Sequence, residues 1–206
     1  MKLSNEKYFI EFYVDRTFSL DSADNRHYDV VLNPEGLKKY NSIKPLLISC
    51  EKVETSISAD IILVCDDLNM GESAVLEENT LTVLSENNIY RLDLDKREIF
   101  FSKQLDIEPW VSDIILHNNT YIIITETSVC CFDRDFSMLW EVQLHEHIFD
   151  WKIFENHIHI ECDPAAYMCW DEKNCAEIEV TDKTRKIADI DCNGKVISEK
   201  YEPLSE

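Results

Sequence analysis

The sequence predicts an all-β fold assembled from about three to four repeated four-stranded antiparallel sheets, preceded by a separate β-rich segment. Two observations carry this. Asn79-Thr80 recurs as Asn119-Thr120, and Leu92-Asp93 as Phe132-Asp133, each forty positions on, with Trp170-Asp171 thirty-eight further. Between these marks lie short runs of β-branched and aromatic residues, divided by Asn- and Asp-containing turns. The chain has 206 residues, 45% of them hydrophobic, which is enough for a real core.

Residues 8–14, YFIEFYV, alternate Tyr8, Ile10, Phe12 and Val14 against Phe9, Glu11 and Tyr13. That is a strand with one buried face. The polar stretch SADNR leads to a second strand at 28–32, YDVVL, expected to pair with the first as a long-looped hairpin. Asn33-Pro34-Glu35 reads as a helix start, with Asn33 as N-cap and Pro34 at the first helical position. The helix, over about 34–40, is kept short by Gly36 and Pro45. Strands follow at 46–50 and 60–65, and DDLNMGE, 66–72, reads as a surface loop. Residues 1–72 thus form the N-terminal segment, packed on the repeats of 73–201. The repeat units are expected at 73–105, 110–144 and 148–180, with a terminal hairpin at 185–201 turned at Asn193-Gly194. In the central unit the strands fall at 112–116, 120–125, 129–133 and 138–144.

Composition narrows the function. Asp and Glu outnumber Lys and Arg 41 to 20, a formal net charge of −21. Such a surface repels nucleic acid and anionic lipid and favours a basic partner, although acidity also serves solubility alone. The eight cysteines, Cys50, Cys65, Cys130, Cys131, Cys162, Cys169, Cys175 and Cys192, form no C-x-x-C pair. Several lie in apolar strand patterns and read as reduced core fillers. The charged N-terminus does not suit a signal peptide, and no apolar run approaches a membrane span. The expected setting is the reducing cytoplasm.

VCCFDRDFSMLWEVQL, 129–144, resembles the second half of the repeat in β-propellers of the pyrroloquinoline-quinone type. There a strand ends in Leu-Asp, a tight turn follows, and the next strand carries Leu-Trp. Phe132-Asp133 and Leu139-Trp140 match these elements. One unit earlier, Leu92-Asp93 matches the first and Phe100-Phe101 replaces the second. The resemblance covers about half the chain and implies a propeller architecture, here partial and open, because closed rings usually need about four to eight blades. That repeat usually has Gly in its turns, whereas this chain has three Gly in all. No quinone or other cofactor is expected.

Several residues qualify as functional candidates. His145-Glu146-His147 and His157-Ile158-His159, with Cys162 nearby, offer two H-x-H pairs whose members share a strand face and could serve a metal. The competing reading, an inter-blade loop and a polar strand face, is preferred, so no metal is assigned. Cys130-Cys131 read as core rather than as nucleophiles, since no His or Asp partner is placed by sequence. G-x-S-x-G, phosphate-cradling Gly loops and H-E-x-x-H are absent. The expected partner-binding set is Asp66, Asp67, Glu72, Trp110, Asp113, Asp133, Asp135, Glu146, Asp150 and Trp151. Its acids lie in or near turns that a repeat stacks on one rim, and Trp110 and Trp151 would anchor an interface near blade junctions. The competing readings are a solvated rim and inter-blade packing.

In overall character the chain resembles the immunity proteins of bacterial contact-dependent growth inhibition systems. Within that group, the repeats at 79–180 and the acidic turns resemble the partners of EndoU-type ribonuclease toxins. The resemblance implies a non-enzymatic protein that forms a heterodimer with a basic toxin nuclease domain and occludes its RNA-binding cleft. The alternatives are a propeller-type scaffold module and a metal-dependent hydrolase.

Overall fold

The computed structural model describes residues 1–20, 22–37, 44–65, 73–107, 111–163, 166–171, 176–181 and 184–203. Residues 44, 111–112, 166–171 and 176–181 are described by their backbone. Every regular element among the described residues is a strand. The chain divides into two compact units, Met1–Tyr121 and Ile122–Glu206.

The N-terminal sheet holds β1 (Lys2–Ser4), β2 (Tyr8–Val14), β3 (Val30–Leu32), β4 (Lys44–Lys52) and β5 (Ile57–Cys65), in the order β1-β2-β4-β5-β3. Tyr8, Ile10 and Phe12 are buried as the alternation requires. The second strand departs from expectation: β3 pairs in parallel with β5 instead of forming a hairpin with β2. Val30, Val31 and Leu32 stand opposite Ile61, Ile62 and Leu63, so the buried half of β5, Ile61–Cys65, supplies the apolar partner. The expected helix also gives way to a turn over 34–37. Asn33 does cap it, its Oδ1 accepting the Leu37 N–H at 2.9 Å. Gly36 then enters the left-handed region at φ 62°, which ends right-handed winding. Residues 38–40 lie outside the described residues.

One core joins this sheet to the first repeat. Ile10, Ile48, Ile61 and Leu63 pack in the same cluster as Leu81, Val83, Tyr90 and Leu92. The expected boundary at 72/73 therefore separates two elements of a single core, inside the first compact unit. The opposite face of β4 and β5 is covered by Phe18, Leu20, Tyr28 and Leu37.

Three four-stranded sheets follow. The first runs β6 (Ala74–Glu77), β7 (Thr80–Ser85), β8 (Asn88–Asp93), β9 (Glu98–Gln104). The second runs β10 (Val111–His117), β11 (Thr120–Thr125), β12 (Ser128–Phe132), β13 (Met138–Gln143). Both coincide with the expected units. The third differs. Its strands are β14 (Ile148–Ile153), β15 (His157–Cys162), β18 (Thr184–Asp191) and β19 (Val196–Pro203), while β16 (Ala166–Asp171) and β17 (Ala176–Thr181) form a two-stranded sheet of their own. The hairpin at 185–201 is thus the outer half of the third blade, and 164–183 is an insertion within it. Trp170-Asp171 falls in the insertion; Ile190-Asp191 holds the place of Phe132-Asp133.

The outer strands β9, β13 and β19 are largely exposed, while β7, β11 and β12 are buried nearly throughout. Trp140 on β13 meets the third blade. Its Nε1 donates to the Cys192 carbonyl at 3.1 Å, and its ring lies against Gly194. A Cβ at Gly194 would stand 2.6 Å from Trp140 Cγ, and φ there is 78°. Gly194→Ala is therefore expected to lower stability by about 2–4 kcal/mol, combining strained backbone with a steric clash. Gly36→Ala meets nothing within 4 Å and should cost only the backbone term, about 1 kcal/mol. Urea titrations of the two variants compare them directly.

Candidate functional site

The repeated Asp is first of all a turn residue. Asp93 Oδ1 accepts the N–H groups of Asp95 and Lys96, both at 3.0 Å. Asp133 Oδ1 accepts those of Asp135 and Ser137, at 2.9 and 2.8 Å. Asp191 Oδ1 accepts those of Asn193 and Lys195, both at 2.9 Å. The carboxylate satisfies backbone donors that a tight turn would otherwise leave bare, which is why Asp recurs with the blade period. Each turn then closes through one left-handed residue: Arg97, Phe136 or Gly194. Eight non-glycine residues in all take positive φ among the described residues, which is how a chain with so few Gly makes so many reversals.

Strand direction decides which acids gather. Asp133 and Asp135 sit at the β12–β13 turn. Glu146 follows β13, at its other end: Leu144 N–H donates to Thr127 O and Ile148 N–H to Glu126 O, so 144–148 runs beside the β11–β12 turn. Six residues of β13 lie between the two groups, roughly 20 Å of strand. Asp133–Asp135 and Glu146 thus lie at opposite ends of β13, because successive turns alternate between the ends of an antiparallel sheet. Asp113 and Asp150 are each the third residue of a first blade strand, half-buried on β10 and exposed on β14. Trp151 follows on β14, half-buried and opposite Ile160. Asp66, Asp67, Glu72 and Trp110 lie outside the described residues.

Glu146 is less available than its neighbours. Lys186, buried on β18, donates to Leu144 O at 3.1 Å and to Glu146 Oε2 at 3.2 Å. Burial alone would lower the Lys186 pKa, but the hydrogen bond and charge of Glu146 outweigh it, and the value is raised. Sequence reasoning passed over Lys186, although a Lys in the apolar run KIADI is a visible irregularity.

Beside this pair, the rim carries His147 and Asp163, with Nδ1 and Oδ2 2.9 Å apart, and the Asp163 N–H donates to the His147 carbonyl at 2.7 Å. The other H-x-H pair is engaged elsewhere. His159 bridges Asp189, at 2.7 Å, and Glu161, at 3.7 Å, while His157 stacks on Phe154 and meets Asn156. Asp189 also accepts from Ser198. Its burial would raise the carboxyl pKa, but the Ser198 and His159 contacts outweigh that and lower it. Among the described residues no group of three or more His, Cys, Asp or Glu is placed to hold a metal.

The buried thiols are unsuited to attack. Burial pushes Cys50 and Cys162 each up to about 11, away from thiolate. Cys130 and Cys131 are buried in β12. A pocket of about 240 Å³ in the first unit is lined by Tyr8, Cys50, Lys52 and Asp95 among others. Asp95 closes it by accepting from Lys52 at 2.8 Å and Tyr8 at 2.6 Å. These contacts hold its carboxyl down at about 2.

No protein-family profile matches this chain, and no curated protein does. Its likeness is to solved structures. Hydrazine synthase of Kuenenia stuttgartiensis aligns over 90% of this chain and 53% of its own at 9% identity, with a TM-score of 0.51. The Pan2 WD40 domain of Neurospora crassa aligns over 75% and 48% at 13% identity, with a TM-score of 0.44. BamB of Moraxella catarrhalis aligns over 84% and 64% at 8% identity, with a TM-score of 0.41. The fold is of the β-propeller type. The chain spans about half to two thirds of the length of these proteins, whose names differ too widely to carry a function across.

Two ion-pair predictions follow from opposite signs. Asp95 is depressed, so its stabilisation is complete above the ordinary carboxylate range near pH 4 and is lost as pH falls toward about 2. Melting temperatures of the Asp95→Asn variant should trail wild type at neutral pH and converge with it near the lower limit. Lys186 is raised, so its contribution persists at neutral pH and fades only as pH climbs past the ordinary Lys range. Lys186→Met strands Glu146 and the Leu144 carbonyl. It should cost about 2–4 kcal/mol in chemical denaturation at pH 7, with Lys186→Met/Glu146→Gln recovering part of it.

Proposed function

We propose that this protein is a non-catalytic binding module whose partner is a basic protein. In its finer form, the reading is of an immunity protein that neutralises a basic ribonuclease toxin by covering its RNA-binding cleft in the cytoplasm. The observation that carries it is the net charge of −21 over the whole chain, with acids recurring at the turns of the blades. Asp135, Glu155 and Asp163 are exposed at turns or connections, and Asp150 is exposed on the adjoining strand. A nuclease cleft needs Lys, Arg or His to hold phosphate, and carboxylates compete for those groups. Charge steering also makes the encounter fast, as an inhibitor of a damaging enzyme requires.

The test is to read the gene that adjoins this one and, where it encodes a toxin domain, to express that domain with and without this protein; a neighbour without such a domain counts against the reading. Co-expression should restore growth, and the purified pair should co-elute with a dissociation constant on the order of nanomolar. Association should slow as salt rises, while dissociation changes little. Growth arrest in both cultures, or separate elution at low salt, refutes the toxin-neutralising reading.

A further inference from the structure

The pocket of about 240 Å³ in the first compact unit lies between the β4–β5 hairpin and the turn that joins β8 to β9. Its wall is of two kinds. Cys50, Ala59 and Leu94 are buried and form an apolar inner end. Lys52, Thr55, Asp95 and Arg97 stand on the solvent side. The volume falls below the roughly 300–1,000 Å³ of drug-sized ligand pockets, so a fitting occupant is small.

The polar side offers donors rather than acceptors. Asp95 is already engaged: its Oδ1 accepts from Tyr8 and Lys52, and its Oδ2 from Asn79 at 3.3 Å. Arg97 is not. Among the described residues its guanidinium meets Asp29 alone, through Nη1 at 3.2 Å, which leaves most of a five-donor fork unspent. Its charge also reaches the inner end, where it opposes the effect of burial on the Cys50 thiol. Lys52 gives Asp95 one of its three ammonium donors. The Thr55 hydroxyl is exposed at the hairpin turn and donates to nothing among the described residues. Two cations with spare donors therefore line a pocket whose one carboxylate is satisfied, against the acidic balance of the chain as a whole.

We infer that this pocket binds a small monocarboxylate with a short branched apolar tail, the head on Arg97 and Thr55 and the tail against Cys50, Ala59 and Leu94. A guanidinium takes a carboxylate through paired N–H donors, and its planar fork matches the planar head. Inorganic phosphate would answer the same donors but leave the apolar inner end unfilled. A neutral alcohol would fill the inner end but leave the Arg97 fork unanswered. The assignment does not depend on the partner reading.

The test titrates 4-methylpentanoate into the purified full chain, with acetate, inorganic phosphate and 4-methylpentanol as comparison probes. Methyl resonances locate the site. Those of Ile57, Ala59 and Leu94 should shift saturably, with a dissociation constant of about a millimolar or lower. The three comparison probes should bind at least about tenfold more weakly. Arg97→Met should weaken 4-methylpentanoate binding by about tenfold or more, and Ala59→Leu, which fills the inner end, should remove it. Thermal unfolding of each variant checks that the fold is kept. No saturable shift up to about 20 mM, or shifts confined to other methyls, overturns the assignment. Equal binding of the alcohol, of acetate or of phosphate overturns it too, as does unchanged affinity in a folded variant. Should either variant fail to fold, the probe series on the unaltered chain decides.

Discussion

The seating of Trp140 on Gly194 is the contact on which the second compact unit depends. A blade has two faces and cannot bury both by itself, so each must register against the next. Here registration is achieved by a flat ring against a residue with no side chain, fixed by the indole N–H bond to the Cys192 carbonyl. The same turn needs Asp191 to hold its N–H groups and a residue able to take a left-handed φ. One glycine meets two demands, conformational and steric. Lys186 supplies a second, polar tie, joining β18 to the connection that leaves β13.

This division of labour bears on function. The acids with repeat-wide roles, Asp93, Asp133 and Asp191, face inward to their own turns. Glu146 is held by Lys186. Asp135 and Asp150 are exposed, and Asp163 is exposed while paired with His147. A high negative charge is therefore not a uniform coat. Part of it is spent on chain reversal, and the net charge exceeds what folding uses.

Much of the architecture was legible in the sequence because it is local. The forty-residue echo of Asn79-Thr80 and Leu92-Asp93 located the first two blades, and alternation in 8–14 located the buried face of β2. What was not legible depended on contacts between distant segments. The parallel pairing of β3 with β5 is invisible to a window that sees only YDVVL. Trp170-Asp171 imitates the turn mark at nearly the expected spacing, whereas the blade uses Ile190-Asp191. Deciding between them requires knowing that β15 pairs with β18. Which acids share an end of a blade is likewise hidden from sequence proximity, because antiparallel geometry sends successive turns to opposite ends.

The last strand, β19, carries features that work against pairing with another strand. It is eight residues long, mostly exposed, and stands at the edge of its sheet with Ile197 and Tyr201 outward. Bare edges of that length template the addition of a further strand from another molecule. Between the two apolar residues the strand places Ser198, Glu199 and Lys200, then Glu202, and it finishes at Pro203, which has no N–H to offer. A growing fibril would have to stack these charges in register. The charges and the final proline make this edge a poor template for a further strand.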